Sequence, residues 1–169
     1  MFKKCSLLAV AALACLGGLA SCGGSTVDTD GFDQNTDKWN KQDLTLALTG
    51  SIDYIDGYTS WSPEFSQKTD ALKFTKAEEG VYTLNFAFKA DQQYKIVSGS
   101  SWNETSYDIT NVDLTKSITT ITGSEADGAS GNIKATADAD VTITFYEYPF
   151  QNADKIDTSK KIIISAQSK

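Results

Sequence analysis

Apolar side chains recur at every second position in several stretches of this chain, and this pattern constrains its fold more than any other feature. In residues 82–89, large apolar side chains alternate with Thr, Asn, Ala and Lys. Residues 44–49 and 141–146 repeat the alternation. Because successive side chains of a strand point to opposite faces, each stretch predicts a β-strand with one buried and one solvated face.

Shorter segments rich in β-branched and aromatic residues lie between these strands, separated by Gly-containing pairs that are typical of turns. These shorter strand candidates are residues 72–75, 94–97, 117–121, 132–136 and 161–165. No stretch of useful length has a helical period, and Pro63 is expected to begin a single helical turn. About eight short strands with frequent turns predict an all-β fold, a single antiparallel β-sandwich of the immunoglobulin-like kind. We assign this domain to residues 44–169.

The beginning of the chain has a different character. Lys3 and Lys4 precede an apolar run over residues 7–16, and Leu19-Ala20-Ser21-Cys22 follows. A positive start, an apolar segment and small residues form the layout of a secretory signal, and the last four residues resemble a bacterial lipobox. We therefore expect residues 1–21 to be a lipoprotein signal peptide and Cys22 to be lipidated. This predicts a protein held to the bacterial outer membrane by its lipid and exposed at the cell surface. The alternative is an ordinary secretory signal with a coincidental cysteine.

Residues 22–43 are rich in Gly, Ser, Thr, Asp and Asn, which predicts a flexible tether between the lipid and the domain. The tether contains four aspartates that faintly suggest calcium: Asp28, Asp30, Asp33 and Asp37. The spacing does not fit an EF-hand loop, because Phe32 occupies a ligand position and the required glycine is absent. We expect no metal site here.

The residue types exclude most partners and most catalytic chemistry. The chain has 15 Lys+Arg, 22 Asp+Glu and no His, with a formal net charge of −7. All its basic residues are lysines, so the bidentate guanidinium fork is missing, and we expect no nucleic-acid partner. The absence of His and the confinement of Cys to the leader and Cys22 exclude Ser-His-Asp and Cys-His catalysis and the usual zinc sites.

We accordingly expect no enzymatic activity and no cofactor. The remaining enzymatic alternative is a glycosidase, which needs two carboxylates facing one cleft. The glutamates Glu64, Glu78, Glu79 and Glu104 have no spacing that distinguishes a pair.

Two polar loops carry large aromatic side chains. The first, residues 51–61, ends in Trp61, and the second, residues 99–107, contains Trp102. A flat ring rimmed by amides and carboxylates complements the apolar C–H face and the hydroxyls of a sugar, and Asn103 supplies such a polar group. The loops therefore predict carbohydrate binding. Two alternatives stay open: Trp61 closes one end of the sandwich, or the loop aromatics anchor a partner protein.

At these residues the chain resembles the starch-binding β-sandwich modules of outer-membrane starch-utilisation lipoproteins (SusE/SusF-like). The resemblance lies in the order of short elements: a strand, a loop ending in Trp61, a Gly-bounded turn into a strand, a second Trp loop, and Gly-Asn-Ile-Lys before a final alternating strand. It spans nearly all of residues 44–165. The first loop is longer than the family's tight turn, and Ser106-Tyr107-Asp108 replaces the family's Asn-Tyr-Gly.

The resemblance implies a role for particular residues. Trp102, together with Trp61 or Tyr58, would form the platform on which an α-glucan stacks, and Lys95 would donate to sugar hydroxyls. The full predicted carbohydrate-binding set is Trp102, Trp61, Tyr58, Lys95, Tyr107 and Asn103. The partners implied are a polysaccharide or oligosaccharide, the membrane through the lipid, and glycan-uptake proteins.

Overall fold

The computed structural model describes residues 44–78, 80–147, 151, 152, 155, 156 and 159–167. All of them belong to one unit, Trp39–Lys169. The predicted signal peptide, the lipidated Cys22 and the tether lie outside the described residues and stay predictions.

Strands dominate the described part of the chain. In chain order they are β1 (Leu46–Gly50), β2 (Thr75–Glu78), β3 (Val81–Phe88), β4 (Gln93–Ser98), β5 (Ser106–Tyr107), β6 (Ile121–Gly123), β7 (Ile133–Ala135), β8 (Ala139–Tyr146), β9 (Gln151–Asn152), β10 (Lys155–Ile156) and β11 (Ile162–Ala166). A short helix, α1 (Pro63–Lys68), follows β1, and two 3-10 turns occupy Asp70–Leu72 and Ile109–Asn111. None of the helices in these residues is long and apolar enough to cross a bilayer.

The strands form two antiparallel sheets and a separate hairpin. One sheet has the order β1-β4-β7-β6, with β5 also paired to β4, and the other has the order β11-β8-β3-β2. The hairpin joins β9 and β10. This arrangement confirms the predicted all-β, antiparallel sandwich.

The core lies between the two sheets and is built from the alternate apolar residues of the long strands. Every second side chain of β3 is buried, and in β8 Val141, Ile143 and Phe145 are buried, as the period-two pattern predicts. Each large apolar side chain buried in this way contributes about 1.5–3 kcal/mol to folding. The buried residues of the core include Leu46, Leu48, Tyr82, Leu84, Phe86, Phe88, Tyr94, Ile96, Val141, Ile143, Phe145, Ile162 and Ile164.

Strand β1 differs from its prediction, because all five of its residues are buried. Its outer face is covered by α1, which packs against β1, and by the loop that leads to α1. The Thr49 hydroxyl, on that outer face, lies 2.9 Å from the Tyr58 hydroxyl. A strand that alternates in sequence thus becomes buried on both faces, and the loop carrying Trp61 is held over it.

Three other segments differ in detail from the sequence-based prediction. Residues 72–75 have the composition of a strand, but the Asp70–Leu72 turn precedes β2 and buries Leu72. Within residues 117–121, only Ile121 belongs to a strand; the Ser117 hydroxyl instead accepts a hydrogen bond from the Ile164 backbone N–H at 3.0 Å. Helix α1 begins at Pro63 as predicted and extends over six residues.

Candidate functional site

Trp61 lies at the end of the loop that crosses the outer face of β1. Its backbone N–H donates to the Gly50 carbonyl at 2.9 Å. Its φ of 58° lies in the left-handed region, which costs a residue with a Cβ about 1–2 kcal/mol. The side chain is half-buried. A bulky residue is therefore held in a strained conformation at the surface, as often occurs at binding sites.

We expect Trp61→Gly to leave the domain more stable than Trp61→Ala by about 1 kcal/mol, because glycine adopts a positive φ without a Cβ penalty. The free energies of unfolding from urea titrations check this. The same pair of substitutions at Phe65, inside α1, is the control. There alanine is expected to be the more stable by about 1 kcal/mol, because of its helix propensity. If the alanine variant were the more stable at Trp61 as well as at Phe65, the backbone at Trp61 would not be strained.

Trp102 lies in the loop that joins β4 to β5. The Ser98 N–H donates to the Thr105 carbonyl at 2.8 Å and closes the loop, and inside it the Glu104 N–H donates to the Ser101 carbonyl at 3.1 Å. Gly99 has a φ of 90°, and the Glu104 carboxylate occupies the space that a Cβ at Gly99 would fill. The loop is therefore compact, and it leaves the Trp102 side chain 48% exposed. Trp102 has the greatest exposed fraction among the large apolar side chains that are exposed in the described residues.

The structure brings Trp61 and Trp102 together. Their ring centroids are 6.5 Å apart, and the ring planes are inclined by 36°. This distance is within the range of direct aromatic contact. The two residues are distant in sequence, and the antiparallel pairing of β1 with β4 starts their loops at opposite ends of the ladder, one after Gly50 and the other after Ser98. Strand pairing alone therefore does not bring the indoles together. The fold thus places the two tryptophans of the predicted set in contact with each other.

Gln67 of α1 contacts the base of the Trp102 loop, a contact that sequence reasoning missed. Its side-chain amide nitrogen donates to the Thr45 carbonyl at 2.9 Å and to the Gly99 carbonyl at 3.0 Å. The Gly99 N–H also donates to the Thr45 carbonyl, at 2.9 Å. Gln67 is a polar residue in a short surface helix, and no sequence pattern distinguishes it from other polar residues of such a helix.

Tyr58 links the Trp61 loop to β1 and α1 through its hydroxyl. Its hydroxyl lies 2.9 Å from the Thr49 hydroxyl and 3.1 Å from that of the buried Ser66. Its half-buried ring packs against the core. Because its polar end is hydrogen-bonded within the protein, we do not include Tyr58 in the proposed site.

Tyr107 faces inward. It lies opposite the buried Ile96 in the β4–β5 ladder, and its ring is 4.8 Å from that of Phe145 in the other sheet. Burial, with a further effect of the Glu147 charge, raises the pKa of its hydroxyl. Its ring is therefore part of the packing between the sheets, and Tyr107 does not share the exposed surface of Trp102. Asn103, in contrast, is exposed next to Trp102.

Lys95 lies on the outer face of β4, opposite Thr49 of β1. Its side chain is partly buried, and its ammonium nitrogen is 3.8 Å from a carboxylate oxygen of Asp108. A sugar hydroxyl would have to share this ammonium with Asp108. In the part of the chain that the structure describes, no group of three or more His, Cys, Asp or Glu side chains is placed to hold a metal ion.

Comparison with known proteins adds little to this geometry. No family model matches the chain. No curated protein matches it either. Among solved structures, it is similar to a pullulanase from Bacillus acidopullulyticus, with a TM-score of 0.43 and 22% sequence identity over 73% of this chain. The match covers 11% of the pullulanase. The chain's own residues therefore carry the functional interpretation.

Proposed function

We propose that the protein is a non-catalytic carbohydrate-binding lipoprotein that holds α-glucan chains, such as starch or maltooligosaccharides, at the bacterial cell surface. Cys22 carries the lipid, and the tether presents the domain to glycan-uptake proteins in the outer membrane. The observation that carries the proposal is the surface pair of indoles, Trp61 and Trp102, with centroids 6.5 Å apart.

The spacing of the two indoles supports binding across them rather than between them. A sugar ring held between two aromatic rings needs a van der Waals separation of about 3.5–4 Å on each side. Two such separations exceed the observed centroid distance of 6.5 Å. A sugar chain would therefore lie along one side of the pair, with neighbouring residues of the chain on neighbouring indoles.

The inclination of the rings favours a curved chain. The indole planes differ by 36°, so two sugar rings stacked on them would also be inclined to each other. Chains of α-1,4-linked glucose curve in this way, whereas β-1,4-linked chains form flat ribbons. The geometry therefore supports an α-glucan over a β-glucan.

Exposed polar side chains next to the indoles provide hydrogen-bond partners for the sugar hydroxyls. Asn103 and Glu104 follow Trp102, and both are exposed. An amide both donates and accepts, and a carboxylate accepts from two neighbouring hydroxyls. Such groups suit a neutral, hydroxyl-rich ligand.

A small site of this kind binds weakly. Two aromatic contacts and a few hydrogen bonds correspond to a dissociation constant in the micromolar to millimolar range, or about 4–8 kcal/mol. Many lipid-anchored copies on one surface would raise the apparent affinity for a long polysaccharide without any new contact. Weak binding by each single site is therefore sufficient for many copies to hold a long polysaccharide at the surface.

Affinity electrophoresis of the full-length protein in mild detergent tests the proposal. We expect amylose and pullulan, which contain α-1,4-linked glucose, to retard the protein. Mixed-linkage β-glucan and dextran, an α-glucan with α-1,6 linkages, are expected to retard it little or not at all. A protein of similar charge and size without carbohydrate affinity serves as the mobility standard. Unchanged mobility in all four gels would contradict carbohydrate binding, and retardation by β-glucan alone would contradict the preference for α-glucan.

A further inference from the structure

We infer that Gln67 is the positioning residue that fixes the geometry of the Trp61–Trp102 pair. The consequence for glucan affinity depends on the function proposed above, whereas the consequence for the two indoles does not. Gln67 contacts neither indole through its hydrogen bonds; it acts on the backbone that carries Trp102.

Both hydrogens of the Gln67 amide group are used on the backbone. One bond, of 2.9 Å, ends on the Thr45 carbonyl just before β1, and the other, of 3.0 Å, ends on the Gly99 carbonyl at the start of the Trp102 loop. The Thr45 carbonyl also accepts the Gly99 N–H. Gln67 thus ties α1 to the point where the second loop leaves the sheet.

The helix carrying Gln67 begins immediately after the Trp61 loop. Trp61 is bonded to Gly50 through its backbone N–H, and Ser62 caps α1 by accepting the Phe65 N–H at 3.4 Å. One end of this segment is therefore attached at Gly50, and the other end is attached through Gln67 at Gly99. Because each indole is carried by one of the two segments that Gln67 joins, the amide fixes their relative position.

The second polar atom of the Gln67 amide group argues against a role in stability alone. Its carbonyl oxygen is buried and has no hydrogen-bond partner. Burying an unpaired acceptor is unfavourable, and methionine would fill a similar volume without one. The two bonds of the amide nitrogen are the property that glutamine supplies here and methionine does not.

The test is Gln67→Met, with Gln92→Met as a matched control. Gln92 also has a buried side-chain oxygen without a partner, and its amide nitrogen is 3.5 Å from Asp53. It directly precedes β4, at the opposite end of that strand from Gly99. The two substitutions are therefore chemically identical. They differ in that Gln67 makes two short bonds to the backbone at Thr45 and Gly99, whereas Gln92 reaches the first loop only through the 3.5 Å contact with Asp53, at the limit of a hydrogen bond.

The first measurement is the exciton couplet that two indoles in contact produce in far-UV circular dichroism. The full-length protein in a non-aromatic detergent is compared with Trp102→Ala, and the difference spectrum is assigned to the pair. We expect Gln67→Met to lose at least half of this couplet and Gln92→Met to retain it, with similar melting temperatures. Retention of the whole couplet in Gln67→Met would overturn the inference.

The second measurement is retardation in amylose gels. We expect about tenfold weaker binding by Gln67→Met and wild-type binding by Gln92→Met. If the wild type is not retarded while Gln67→Met still loses the couplet, the proposed function fails and the positioning role of Gln67 stands. If Gln67→Met loses the couplet but binds amylose as the wild type does, the geometry of the indoles does not govern binding. The inference that Gln67 positions a binding site is then wrong.

Gln67→Glu provides a second test if the methionine variant does not fold. Glutamate has the size of glutamine, but its carboxylate has no hydrogen to donate to the two carbonyls. On acidification the protonated carboxyl regains one donor. We expect the couplet to be weak at neutral pH and to recover in part as the pH falls through the pKa of the introduced carboxyl, whereas the wild type shows no such recovery. A couplet independent of pH and equal to the wild type would overturn the inference.

Discussion

Trp102→Ala is expected to abolish detectable retardation of the protein in amylose gels. The substitution removes the more exposed of the two indoles, whose side chain is 48% accessible. Truncation of a tryptophan at the centre of a binding site costs at least about 2 kcal/mol, which is about 30-fold in the dissociation constant. Because the site is expected to bind weakly to begin with, a loss of this size leaves no measurable affinity for a single domain. Isothermal titration with a maltooligosaccharide gives the same comparison in solution.

The control for this substitution is Leu114→Ala. Leu114 is 45% exposed and lies outside both tryptophan loops. Its removal takes away an exposed apolar side chain without touching the indole pair, so we expect wild-type retardation. Both variants are expected to unfold at nearly the wild-type urea concentration, since exposed side chains contribute little to stability. Wild-type affinity in Trp102→Ala would contradict the proposed site, whatever Leu114→Ala does.

Gly50→Ala is expected to destabilise the domain by about 3 kcal/mol, at the upper end of the usual cost of overpacking. A Cβ at this position would lie 2.1 Å from the Gln93 carbonyl oxygen. This oxygen belongs to the backbone of the neighbouring strand, so it cannot rotate away as the end of a side chain would. The end of β1 must move instead. Because the Gly50 carbonyl accepts the Trp61 N–H, the Trp61 loop is expected to loosen as well. Urea unfolding followed by circular dichroism measures the effect.

Gly57→Ala is the matched control. Gly57 lies in the same loop region with a φ of 71°, and a Cβ there would meet no atom within 4 Å. Only the cost of a positive φ applies, so we expect a loss of about 1 kcal/mol. Equal midpoints for the two alanine variants would show that the close approach of β1 and β4 at Gly50 is not the cause of the larger loss.

The site was predictable from the sequence only in part. The two tryptophans could be identified because each is a large aromatic residue in a polar loop next to a strand. Tyr107 had the same local surroundings, yet its ring packs on Phe145, because its place opposite Ile96 in the ladder turns it inward. Tyr58 likewise could not be distinguished from Trp61, since its role depends on the hydroxyls of Thr49 and Ser66 beneath it.

The sequence by itself determined the strands and the class of fold. The alternation in residues 82–89 and 141–146 predicts which side chains face the core, because successive side chains of a strand point to opposite faces of the sheet. Only the tertiary structure decided that β1 is buried on both faces, that Trp61 meets Trp102, and that Gln67 joins their two segments. These facts depend on which strands pair, in which register, and on where a short helix packs. Such contacts join residues far apart in the chain, and a local pattern of side chains does not encode them.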